Sequence, residues 1–247
     1  MALQETFEKQ GNWLFKRRSF LPLGIVVIGV LWYVYLLLNG RTSVNDWWVD
    51  FLFLWVGFLG LSIRIFTIGF TPKGTSGRNT GEGQVAEQLN TSGIYSMVRH
   101  PLYLGNFFMW LAPVLVLKDL WLTLFFCAFY WIYYEKIMFA EEQFLRKKFK
   151  QEYLNWANQI PAFFPKFSQY KKADLKFSFK NVLKREYNGF FNLVLIITLL
   201  RIVGFAVTKQ SFYLDKPWII IFLIAFVIFI VLKIFKKFTT VLNVDGR

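Results

Sequence analysis

Histidine and cysteine occur once each in this chain of 247 residues, as His100 and Cys127. A single thiol allows no intrachain disulfide, and no zinc cluster can be assembled from the ligand types present. Charge is scarce too. Asp, Glu, Lys and Arg make up 18% of the residues, against 55% hydrophobic and 21% aromatic. A soluble domain of this length needs far more polar surface. Nucleotide-loop signatures are also missing. The stretch "GTSGRNTGEG" fits neither the G-x-x-x-x-G-K-[ST] spacing nor G-x-G-x-x-G after a strand, so it reads as a flexible loop. There is no convincing internal repeat. The first apolar run is too long for a signal-peptide core and lacks a small-x-small cleavage site, which predicts a retained span.

What is present are apolar blocks of bilayer-spanning length, the mark of an integral membrane protein. Six spans can be drawn, giving an all-α fold: residues 20–38, 47–70 (interrupted by Arg64), 101–117, 120 to beyond 138, 190–207 and 217–232. The fourth shows no obvious breaker and runs on into "FAEEQFLRKKFKQEYLNWANQ", which is amphipathic and charged. That helix is therefore expected to leave the membrane and continue in water until Pro161 and Pro165 end it. Three regions follow from this layout: residues 1–89 with two spans and a polar loop, 90–165 as the core, and 166–247 with a basic linker and two spans.

The formal charge is +14. Nucleic-acid binding is one reading of such a balance, but the basic residues flank apolar blocks, as the positive-inside rule expects. Lys and Arg gather before span one, between spans two and three, after span four and after span six. The other three connections are short and carry little net positive charge. Both termini and the segment around His100 are thus expected on the cytoplasmic side, with the cytoplasmic membrane as the site in a bacterium. The basic amphipathic stretch "FLRKKFKQEYLNW" is expected to lie on anionic headgroups; a calmodulin-like partner is the weaker alternative.

Two constellations carry chemistry. In "GIYSMVRHPLYLGN", Pro101 suits the first turn of a helix, where its missing N–H costs nothing. Arg99 and His100 then sit at the positive end of that helix, a setting that favours an anion. Interfacial anchoring would explain Arg99 and Tyr103 alone, but anchoring has no need of an imidazole. In "EKIMFAEEQ", Glu135 and Glu142 are two helical turns apart and share a face. Glu141 continues a neighbouring stripe with Tyr134 and Met138. Surface pairing of Glu141 and Glu142 with Arg146 or Lys148 is the competing reading. Arg64 and Arg201 lie within apolar runs, where such residues face a cavity, pair with a partner, or snorkel.

The ordered set "RHPLYLG", a helical hairpin, "EE", "FKQEY" and "IPAFFP" resembles the isoprenylcysteine carboxyl methyltransferase family and the related phospholipid methyltransferases. Their recurring pattern is R-H-P-x-Y-x-G, hairpin, Glu-Glu, F-G-x-x-Y and V-P-x-x-x-P. The resemblance covers about residues 90–165. It implies an S-adenosylmethionine-dependent membrane enzyme whose cofactor enters from the cytoplasm and whose lipidic acceptor enters from the bilayer. The acceptor group would be a phosphate, carboxylate or amine, or a prenylated thiol compound. It further implies that Arg99, His100 and Tyr103 hold the cofactor, that Gly93 and Tyr95 shape the loop, and that Glu141 and Glu142 complete the pocket. Glu142 and Arg99 would stand nearest the chemistry. Two positions depart from the pattern. Lys150 stands where the family has a glycine, and Ile137 where its carboxyl methylases carry an arginine. A nicotinamide-dependent membrane reductase of similar layout and a non-catalytic lipid-binding protein are the alternative classes.

Overall fold

The computed structural model describes residues 2–18, 21–74 and 84–247. The start of the first span at Phe20 and nearly all of the glycine-rich stretch lie outside the described residues. Among the described residues there are seven α-helices and no strands: α1 (Leu3–Arg17), α2 (Leu21–Leu38), α3 (Trp47–Gly69), α4 (Pro101–Val116), α5 (Leu120–Ala157), α6 (Phe179–Lys209) and α7 (Lys216–Phe238). Three of them, α3, α6 and α7, are long and apolar enough to cross a membrane. The stretch Gly24–Leu38 of α2, together with α4, forms shorter apolar helices. The chain is thus an all-helical integral membrane protein with three long candidate spans, where the hydropathy pattern suggested six.

Local chemistry accounts for most of the helix ends. Pro101 opens α4 behind a non-helical His100. Asp119 caps α5 by accepting from the Leu122 amide at 2.6 Å, and Ser178 caps α6 by accepting from the Asn181 amide at 3.3 Å. Such caps satisfy amides that have no partner inside the helix. Because Ser178 starts α6, that helix begins well before the expected span at 190, and the basic linker is correspondingly shorter. The amphipathic α1 was not anticipated. It packs on α5, and a Cβ at Gly11 would fall 2.0 Å from the Lys136 carbonyl oxygen. A further difference lies in α5. It runs through the charged segment as expected, but Lys150 breaks the helical geometry with φ 46° and ψ −118°.

Helices α3, α4 and α6 form the centre. Gly60 and Gly105 let α3 and α4 touch backbone to backbone: a Cβ on Gly60 would lie 2.3 Å from the Gly105 carbonyl oxygen. Small residues serve helix pairs in this way where lipid supplies no hydrophobic drive to associate. The pairings also fix direction. Arg64 of α3 meets Glu186 of α6, while Asp50 of α3 meets Arg201 of α6, so α3 and α6 are antiparallel.

The three short connections converge at one end. Arg201, fully buried, pairs with Asp50 and Asp215 and donates to the Val44 carbonyl at 3.2 Å. Lys118 donates to the Ser43 carbonyl at 3.0 Å and to Asp46 at 3.2 Å. A charge buried this deeply is tolerated only when paired and hydrogen-bonded, so Arg201 is a structural tie. At the opposite end Arg247 donates to the Gly69 carbonyl at 2.6 Å, and Arg18, following α1, donates to the Tyr103 hydroxyl at 3.3 Å. Both chain termini therefore lie at the end that carries His100.

Candidate active site

The segment before α4 is held like a short strap. The amides of Arg99 and His100 donate to the carbonyls of Pro161 and Ala162 at 2.9 and 3.1 Å, and the Lys166 amide donates to the Met97 carbonyl at 3.0 Å. The segment following α5 thus pins the residues that precede α4. Gly93 begins this strap at φ 60°, ψ −134°, a conformation that glycine adopts without steric cost. Its amide donates to the Lys171 carbonyl at 3.0 Å. The Trp156 indole donates to the Tyr95 carbonyl at 3.2 Å. Since the Arg99 and His100 amides are spent on carbonyls, the anion-favouring contribution of the α4 terminus is smaller than the sequence suggested.

The side chains meet α5 at Glu141 and Glu142. Arg99 donates from Nε to Glu142 Oε1 at 2.9 Å and from Nη1 to the carbonyls of Ala157 and Ile160 at 2.6 and 2.8 Å. His100 Nε2 lies 2.9 Å from the same Glu142 oxygen. An ionised carboxylate only accepts, so this nitrogen carries the proton. The Tyr103 hydroxyl donates to Glu141 Oε2 at 2.9 Å, and His100 Nδ1 is 3.8 Å from that oxygen. The rings of His100 and Tyr103 stack with centroids 5.7 Å apart. The surface-pairing alternative for Glu141 and Glu142 therefore gives way to bonds with the strap. Glu135 is exposed and does not join the site.

Burial opposes the charge on Glu142, but the His100 hydrogen bond and the charges of His100 and Arg99 outweigh it and hold the carboxyl below its ordinary value. Burial, helped by the Glu141 carboxylate, pushes the Tyr95 phenol up and keeps it a hydrogen-bond donor. Beside these groups lies a cavity of about 430 Å³, walled in part by Tyr95, Arg99, His100, Tyr103 and Glu141. That volume is within the range of small-molecule sites. Glu142 and Gly93 do not line it: Glu142 orients Arg99 and His100, and Gly93 shapes the strap. Tyr153, also on the wall, turns its hydroxyl toward Glu142 and helps hold that carboxyl below its ordinary value.

The structure gives Arg64, expected to face a cavity or a partner, both of these, and adds α6 residues that the sequence reading passed over. Arg64 forms a two-pronged pair with Glu186 at 2.7 and 2.6 Å and donates to Asn106 at 2.7 Å. Arg185, Gly189, Asn192 and Ile196 of α6 also line the cavity. Their i, i+4, i+7, i+11 spacing within "REYNGFFNLVLI" is a single helical stripe, and that periodicity was the signal available.

Fold and site together define a membrane-embedded helical bundle with a polar, ligand-sized cavity at one end. Residues 53–152 match the phospholipid methyltransferase family, so the resemblance read from the sequence holds over the segment bearing the strap and both glutamates. The chain is similar to a nickel-cobalt-cadmium resistance protein of Alcaligenes xylosoxydans xylosoxydans, 28% identical over 64% of this chain and 70% of that protein. It is also similar to a cobalt-zinc-cadmium resistance protein of Cupriavidus metallidurans, 30% identical over 60% of this chain and 66% of that one. A protein-S-isoprenylcysteine O-methyltransferase of Schizosaccharomyces pombe is 35% identical over 31% of this chain and 33% of its own length. No solved structure matches the chain. Over residues 53–152 the chain is thus similar to membrane methyltransferases. Among the described residues, no three His, Cys, Asp or Glu side chains group to hold a metal.

Proposed function

We propose that this protein is an integral membrane methyltransferase that uses S-adenosylmethionine and acts on a lipidic acceptor at the cytoplasmic face. The observation that carries the reading is the cavity beside Arg99, His100, Tyr103 and Glu141, within the segment matched to the methyltransferase family. When bound, the cofactor supplies a methyl group on a cationic sulfur, open to in-line displacement by an acceptor oxygen or nitrogen.

The residues present fit that group. Glu141 offers a carboxylate suited to an ammonium or a ribose diol. Arg99 makes its bonds through Nε and Nη1 and so offers Nη2 to a carboxylate. Tyr95 offers a phenolic donor at the wall, and the Tyr103 ring gives an aromatic face to a cation. Glu142 acts by holding Arg99 and His100 in place, which is how alignment contributes to such a reaction. The clustering of both termini and the basic segments at the site end supports a cytoplasmic orientation, and the Arg146–Lys148 surface of α5 supports contact with anionic headgroups.

Calorimetric titration of the purified protein with S-adenosylmethionine and, separately, with a reduced nicotinamide dinucleotide tests the reading. Saturable binding of the first, lost in His100→Ala, is expected. Tight nicotinamide binding with no S-adenosylmethionine binding would overturn it in favour of a reductase. Binding of neither would favour a non-catalytic lipid-binding protein.

A further inference from the structure

The segment joining α5 to α6 carries three phenylalanines that the fold does not bury. Phe164, Phe167 and Phe179 are 74%, 75% and 71% exposed, and Tyr170 is exposed with them. Rings grouped on a surface in this way mark contact with a membrane or a partner. Five exposed lysines are interleaved with them: Lys166, Lys171, Lys172, Lys176 and Lys180. None of the five forms an ion pair among the described residues. The one carboxylate of the segment, Asp174, accepts from the Ser92 hydroxyl at 2.6 Å.

Ring packing fixes where this segment lies. Phe164 stacks on Trp131 with centroids 6.5 Å apart, and Phe163 meets the same indole edge-on at 5.5 Å. Trp131 belongs to the apolar first half of α5 and is itself exposed. At the other end Phe177 lies 6.4 Å from Phe66 of α3 and 5.2 Å from Phe70, and Phe179 meets Phe177 at 5.5 Å. Phe66 is exposed as well. Exposed rings on apolar membrane helices face lipid, so the segment is stitched at both ends to lipid-facing residues. That sets it where the helices leave the bilayer, the level at which aromatic rings and lysines are favoured.

The same segment holds the strap. Besides the Lys166–Met97 and Gly93–Lys171 backbone bonds, the Lys171 amide donates to Ser96 Oγ at 2.8 Å. With the Ser92–Asp174 bond, four contacts join it to the residues that lead into Arg99 and His100.

We propose that residues 164–180 form an interfacial belt that seats on the anionic surface of the bilayer, and that this seating steadies the strap. The rings enter the headgroup level and the lysines meet the negative surface potential, which acts within a Debye length. A zwitterionic surface receives the rings but lacks that potential, so strap order follows the charge of the leaflet. The proposal rests on the membrane setting of the chain and not on the methyltransferase reading.

The test places the full chain in nanodiscs of phosphatidylcholine with and without phosphatidylglycerol. In a Cys127→Ser background, Phe167→Cys or Phe179→Cys carries a bimane label, and lipids brominated near the headgroup end of the chain act as quenchers. Both labels should be quenched, more strongly with phosphatidylglycerol, and added salt should remove the difference. Amide hydrogen exchange over residues 93–100 of the unlabelled protein should slow about fivefold or more with phosphatidylglycerol. Lys171→Glu with Lys172→Glu should abolish that slowing, and Lys171→Arg with Lys172→Arg should keep it; circular dichroism reports folding. Labels at both positions left unquenched with phosphatidylglycerol, or strap exchange equal in the two discs, overturns the proposal. Strap protection by soluble polyglutamate without lipid quenching also overturns it, and would assign the surface to an acidic protein segment. No cofactor is present in these measurements, so a parallel titration with S-adenosylmethionine judges the methyltransferase reading separately.

Discussion

Lys150 holds φ 46° and ψ −118°, and Gly93 holds φ 60° and ψ −134°. Both residues occupy nearly the same backbone well, one that a side chain makes costly. Non-glycine residues forced into sparsely populated regions of this kind carry about 1–3 kcal/mol of strain. Replacing Lys150 by glycine removes that strain but returns about 0.5–1 kcal/mol through the greater freedom of the unfolded chain. Lys150 is exposed, and among the described residues its side chain makes no hydrogen bond or ion pair that would offset the change. The expected net gain is therefore about 0.5–2 kcal/mol, or a few degrees in melting temperature for a chain of this size. Gly93→Ala is the reverse experiment. Strain is introduced, and the new Cβ lies 3.2 Å from that of Ala173, so a loss of about 1–3 kcal/mol is expected, together with weaker S-adenosylmethionine binding as the strap shifts. Thermal unfolding in detergent, followed by tryptophan fluorescence, reads both. Lys150→Ala is the control, since it removes the side chain but keeps the Cβ. If Lys150→Ala raises the melting temperature as much as Lys150→Gly, backbone strain is not the cause and the reasoning fails.

Three further expectations concern packing and charge. Gly105→Ala puts a Cβ 2.5 Å from Arg64 Cγ and 2.8 Å from the Gly60 carbonyl oxygen. It should cost about 1–3 kcal/mol, visible as a lower melting temperature, and wild-type stability would show that α3 and α4 do not need this close contact. Glu186→Leu strands the Arg64 charge, whose side chain is 21% exposed. The loss should approach the lower end of about 3–5 kcal/mol, and adding Arg64→Met should recover part of it. A double-mutant cycle with no coupling would contradict the pairing. Glu142 is held below its ordinary value of 4.5, so its stabilising contribution is complete above that value and is lost as pH falls through the lower folded value. Melting temperature scanned from about pH 6 down to about pH 3 should fall more steeply in wild type than in Glu142→Gln; parallel curves would refute the assignment.

Several features could be read locally. Pro101 as the first residue of α4, the Lys118–Asp119 turn and the apolar blocks depend on neighbours in the chain, so sequence order alone exposes them. The strap and the glutamate pair were legible because their motif order is held by one helical hairpin. The number of long spans was less so, since hydropathy does not say where a helix starts; Ser178 sets the start of α6, and α4 is shorter than a full span. Helix α1 escaped because its charge masks its packing face, and Gly11 declares a contact only once α5 is beside it.

Composition and periodicity by themselves determined that this chain is helical and membrane-embedded, because each is a property of residues close in sequence; that its Arg-His-Pro motif meets two glutamates was what the family resemblance implied. Tertiary structure alone decided which glutamate does what. Glu142 turns to Arg99 and His100, while Glu141 faces the cavity with Tyr103. It also decided the partners of the intramembrane arginines, Glu186 for Arg64 across 122 residues and Asp50 for Arg201 across 151. Charges so far apart in the chain find each other only when helices cross. Low dielectric then makes the pairing obligatory, a constraint invisible to any window of sequence.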